Sequence, residues 1–75
     1  MTTEKLRNEI TERIAVLGYD YTIIDKNVLK IYKGDSSVDL EITEVGLQEF
    51  LGMYGNKAVD EIMGLILMKI DTDNQ

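Results

Sequence analysis

Apolar residues recur at Leu6, Ile10, Ile14 and Leu17, at spacings of four, four and three, with mostly charged residues between them. That period puts the four on one face of a helix. Thr3 stands where an N-cap belongs, Glu4 lies near the positive end, and Gly18 supplies the left-handed residue that closes a helix. The pattern predicts a helix over 3–17. The spacing then shortens to two. Tyr19 to Ile24 is aromatic and β-branched, Asp25-Lys26-Asn27 reads as a tight loop, and Val28 to Lys33 resumes the extended pattern. Gly34-Asp35 has glycine in the first place of a two-residue turn, as a type II′ hairpin requires. From Ser36 to Thr43 the alternation is strict: Val38, Leu40 and Ile42 share one side, and Ser37, Asp39, Glu41 and Thr43 the other.

Those turns predict a register. With Gly34-Asp35 at the tip, Lys33 faces Ser36, Ile31 faces Val38, Lys30 faces Asp39 and Leu29 faces Leu40. Apolar partners then share one face and an opposite-charge pair lies on the other. A loop over Asp25–Asn27 brings Tyr21 and Ile23 to the same inner side. The expectation is a three-stranded antiparallel meander.

The last third returns to helical spacing. Thr43 can cap a helix carrying Leu47, Phe50, Leu51 and Tyr54, weakened by Gly46 and Gly52 and stopped by Gly55. Asn56 can cap another, and from Lys57 to Ile70 the chain is apolar on nearly all sides, the pattern of a helix covered on most of its surface. The run from Leu65 to Ile70 also fits a fourth strand. The predicted class is α+β in the order α-β-β-β-α-α, a single domain over residues 1–75 with 71–75 as a frayed tail. The helices are expected on the Val38/Leu40/Ile42 face, leaving the other sheet face to solvent or a partner.

Composition narrows the chemistry. The chain has no Cys and no His, which removes disulfides, the usual zinc ligands, the commonest general base and the best nucleophile. No glycine-rich phosphate loop is present, and Asp71-Thr72-Asp73-Asn74 lacks the central glycine and terminal Glu of a calcium loop. The expectation is a non-enzyme without cofactor or metal. The opening residues show no secretory pattern, and the longest apolar run, Leu65 to Met68, falls far short of the roughly 20 residues that cross a bilayer. A cytoplasmic protein is expected.

Charge then points to a kind of partner. Residues 1–33 carry a net +1 and residues 34–75 a net −7, and no basic residue occurs between Gly34 and Asn56. Such a surface repels nucleic-acid phosphates and attracts a basic protein surface. The helix-sheet-helix order is also that of double-stranded RNA-binding domains, but those need basic residues opening the helix after the sheet, and here it opens Thr43-Glu44-Val45-Gly46. Asp35, Asp39, Glu41, Glu44 and Glu49, with Tyr32 as a stacking contact and Lys30 beside it, are the candidate partner-binding residues. Side chains two apart on a strand lie about 6.6 Å from each other, near the spacing of successive phosphates, so these acids can imitate nucleic acid. The plainer reading is a charged face that only confers solubility. Met63, Leu67 and Met68 form an apolar surplus suited to a homodimer interface.

The opening Leu6-Arg7-Asn8-Glu9-Ile10, the start of the first strand at Asp20-Tyr21-Thr22 and the acid-bearing Asp39-Leu40-Glu41-Ile42 stand in an order that resembles the small acidic phage anti-CRISPR proteins. One member of that group shares the α-β-β-β-α-α order and blocks the site that reads the DNA motif beside the target. The resemblance covers topology and charge. It implies a phage-type accessory inhibitor that occupies a basic nucleic-acid-binding surface of a protein partner. The alternative is a homodimeric structural or adaptor domain joined through its last helix.

Overall fold

A computed structural model describes residues 1–73. Helix α1 (Thr3–Val16) leads into strands β1 (Asp20–Ile24), β2 (Val28–Lys33) and β3 (Ser36–Glu41), followed by α2 (Glu44–Tyr54), a 3₁₀ turn (Gly55–Lys57) and α3 (Ala58–Asp73). The order is the α-β-β-β-α-α of an α+β fold. The sheet is the antiparallel meander β1-β2-β3, with Ile31 opposite Val38, Lys30 opposite Asp39 and Leu29 opposite Leu40.

Local chemistry sets the boundaries. Thr2 rather than Thr3 caps α1: its backbone is extended and its hydroxyl accepts from Lys5 N at 3.1 Å. At the other end Gly18 (φ 82°) donates to Ala15 O and Tyr19 N donates to Ile14 O, a Schellman closure. Tyr19 is thereby committed to the helix end, and β1 starts one residue later than the alternation predicted. Gly34 carries the positive φ of the β2–β3 turn, 61°. The β1–β2 loop reaches positive φ without glycine, at Asp25 (52°) and Lys26 (65°). Arg7 braces that loop, donating to Lys26 O at 3.2 Å and to Ile42 O at 2.6 Å. Ile42 N still continues the ladder to Asn27 O, but β3 stops at Glu41, short of Thr43, because the Thr43 hydroxyl accepts from Gly46 N to cap α2.

The core is wholly apolar. Leu6, Ile10 and Ile14 of α1, Leu29 and Ile31 of β2, and Ile62, Ile66 and Ile70 of α3 are its fully buried large side chains. α3 runs as a helix through Leu65–Ile70, so the fourth-strand reading fails. It continues over Asp71, Thr72 and Asp73, which the tail reading had placed outside the fold, and Asp71 Oδ1 meets Lys33 Nζ at 3.2 Å. Asn74 and Gln75 lie outside the described residues.

The helices cover the sheet unevenly. Tyr21 and Ile23 do share the inner side with Ile31 and Leu29, their partners across the ladder. Yet every residue of β1 is exposed, whereas β2 and β3 bury their inner apolar side chains wholly or in part.

Candidate protein-interaction surface

The face of the sheet away from the core presents three cross-strand rows: Asp20, Tyr32 and Ser37; Thr22, Lys30 and Asp39; Ile24, Val28 and Glu41. Asp39 and Glu41 project from β3 as exposed neighbours two residues apart. Among the described residues neither makes a side-chain hydrogen bond or an ion pair, and the same holds for Asp35 and Glu49. Their charge therefore faces solvent without a fixed counterion. Tyr32 stands on the same face with the Lys30 ammonium 5.8 Å from its ring centroid, so the ring is already in contact with a cation.

The candidate acids do not converge on one spot. Asp35 sits at the turn that opens β3, six residues and about 20 Å of extended chain from Glu41. Glu44 turns to α1, accepting from Thr3 Oγ1 at 2.7 Å and from Gln48 Nε2 at 3.3 Å. That carboxylate ties the start of α2 to the start of α1. Glu49 instead joins Glu41 at the rim of a groove of about 210 Å³ between β3 and α2. Leu40, Leu47, Phe50 and Met53 line its apolar floor and wall. Phe50 is backed by Tyr54, ring centroids 5.3 Å apart. The strand acids thus continue into an apolar slot, with Glu41 itself on one side and one further carboxylate, Glu49, on the other.

Sequence reasoning missed this slot. Its signal was Phe50 and Met53 following Leu47 on one helix, which reads as ordinary core until all three are found lining a groove with Leu40 and Glu41 of β3. Asp20 was missed as well, though its parity with Tyr32 places it on the outer face.

The apolar surplus of α3 divides. Met63 is only 6 % exposed and belongs to the core, whereas Met68 is 59 % exposed and Leu67 lies between. Met63 and Leu67 meet Val16, Leu17 and Arg13 of α1 around a second groove of about 300 Å³. Arg13 is held there by Asp60 at 3.2 Å.

Among the described residues no three His, Cys, Asp or Glu side chains are placed to share a metal ion, and no helix is long and apolar enough to cross a membrane. The titration of Lys33 is displaced. The Asp71 carboxylate, and then the Tyr19 phenol whose ring lies 5.7 Å from the ammonium, raise it above its ordinary 10.5. This trio fastens the end of α3 to the β2–β3 hairpin, on the opposite end of the molecule from the Glu41–Glu49 slot. Neither a family model, nor a curated protein, nor a solved structure matches this chain.

Proposed function

We propose that the protein is a cytoplasmic, anti-CRISPR-like accessory inhibitor of phage type that docks on a basic, nucleic-acid-binding surface of a partner protein. One observation carries the reading: the outer face of the sheet presents exposed Asp39 and Glu41, within a stretch, Gly34 to Asn56, that contains no basic residue. Carboxylates held by a sheet at phosphate-like spacing need little ordering on binding, which favours them over acids on a mobile tail. The Glu41–Glu49 slot adds the apolar contact that charge alone lacks, and it suits a basic surface with one protruding apolar side chain. Asp35 and Tyr32 extend the contact along the same face, and Glu44 acts by positioning α2.

Host proteins captured by the chain should be basic, should be displaced by duplex DNA, and should be lost when Asp39→Ser and Glu41→Ser are combined. They should also elute as the Debye length falls from about 10 Å to about 3 Å, roughly 0.1 to 1 M salt. Both substitutions are at exposed positions, so the fold survives. Capture indifferent to salt, to DNA and to the double substitution refutes the proposal. A second reading, the homodimeric adaptor joined through its last helix, is favoured by the groove of Val16, Leu17, Met63 and Leu67 and by the exposure of Met68.

A further inference from the structure

We propose that two copies of the chain pair edge to edge through β1, antiparallel about a two-fold axis at Thr22, joining their meanders into one six-stranded sheet. The proposal is independent of the docking reading, because it rests on the free edge and the inner-face side chains of β1 and not on the outer-face acids.

The first ground is β1 itself. Tyr21, Ile23 and Ile24 are 42 %, 49 % and 43 % exposed, in a strand with no neighbour on its outer edge among the described residues. Soluble proteins usually blunt such an edge with proline, lysine or a bulge. β1 has no Pro and no Lys, and its register with β2 runs unbroken from Asp20–Tyr32 to Ile24–Val28.

The second ground is the direction of the backbone groups. In an antiparallel ladder successive residues point their N–H and C=O to alternate sides. The bond from Ile42 N to Asn27 O, 2.7 Å, shows that Asn27 faces the β3 side. Val28, Lys30 and Tyr32 therefore face β1, where they meet Ile24, Thr22 and Asp20. Tyr21 and Ile23 are left with their backbone groups at the free edge. Their side chains are also the uncovered part of the inner face.

The third ground is self-complementarity, which selects a second copy over an unrelated strand. A two-fold pairing must centre on a residue if the inner faces of both copies are to coincide. Centring on Thr22 pairs all five strand residues, whereas centring on Tyr21 or Ile23 leaves two of the five outside. In that register Tyr21 of each copy faces Ile23 of the other, an aromatic–β-branched pair formed twice. These are also the residues whose free backbone groups then bond each other. The inner rows of one sheet run directly into those of its partner. On the outer face Asp20 of each copy faces Ile24 of the other.

The test uses the full chain. Light scattering or sedimentation at several concentrations should show twice 8.5 kDa, and combining Tyr21→Lys with Ile23→Lys should weaken association at least tenfold while the circular dichroism of the monomer is kept. The chain has no cysteine, so Thr22→Cys supplies a register probe. Residues on the axis form a non-hydrogen-bonded pair with Cα atoms about 4.5 Å apart, inside disulfide range. Oxidation should link Thr22→Cys into a covalent dimer and leave Asp39→Cys, equally exposed on β3, as monomer. A monomer up to millimolar concentration overturns the proposal. So does a dimer untouched by the lysine pair, one abolished instead by Leu67→Asp at the α1–α3 groove, or linkage at position 39 in place of 22.

Discussion

Replacing Gly64 by Ala should make the protein more stable. Gly64 lies inside the 16-residue helix α3, without a positive φ, and a Cβ built there meets nothing within 4 Å. The substitution therefore carries the helix-propensity gain alone, about 1 kcal/mol, with no packing cost. For a domain of this size that corresponds to a rise of about 4–8 °C in melting temperature. Gly46→Ala is the internal comparison. The same propensity gain is available in α2, but its Cβ would lie 3.0 Å from Thr43 Oγ1, the atom that accepts from Gly46 N at 3.2 Å. Displacing that hydroxyl costs about 1 kcal/mol of capping, which offsets the gain. Thermal melts followed at 222 nm, with urea titrations as a check on the slope, should separate the two variants by about 1 kcal/mol. A Gly64→Ala protein no more stable than the parent, or a Gly46→Ala protein stabilised equally, would refute the reasoning. The first result would mean that the outer side of α3 is occupied, and the second that the Thr43 cap contributes nothing.

Arg7→Leu removes both donors that brace the β1–β2 loop and leaves the Ile42 carbonyl without its 2.6 Å partner. A lower urea midpoint at unchanged slope is expected, by about 1–3 kcal/mol, and Arg7→Lys should restore only part of it because lysine cannot fork between two carbonyls. Lys33 governs an alkaline dependence. Its folded pKa is raised, chiefly by Asp71, so the native state holds that proton more tightly than the unfolded chain. The contribution is complete below the unfolded value of 10.5 and is lost as pH climbs through the folded one. Urea midpoints measured from pH 9 upward should fall less steeply in Asp71→Asn than in the parent; equal slopes would dismiss the Lys33–Asp71 coupling.

Much of the fold was legible because its elements obey short-range rules. The period of Leu6, Ile10 and Ile14 can bury only as one helix face. The glycine at 34 fixes the turn, and with it the pairing of Ile31 with Val38 and Leu29 with Leu40. The boundaries differ by one or two residues where a cap competes with its neighbour: Thr2 against Thr3, and Thr43 as helix cap against strand end, with β3 closing at Glu41. Asp71 reads as the first residue of a frayed tail in sequence because its partner, Lys33, lies 38 residues away.

The chain alone therefore determined its elements, their order, the strand register and the concentration of negative charge after Gly34, since all of these follow from spacing, turn chemistry and composition. Only the tertiary structure decided which apolar residues are covered. Alternation assigns Tyr21 and Ile23 to the inner face, but burial depends on how fully that part of the sheet is covered, and here Leu29 and Ile31 of β2 and Val38 of β3 are buried while Tyr21 and Ile23 stay exposed. Likewise it took the packing of α2 to set Glu49 and Glu41 around one groove and to turn Glu44 to Thr3 of α1. Side-chain direction is a local property of the backbone; coverage is set by the distance between elements, which no single segment encodes.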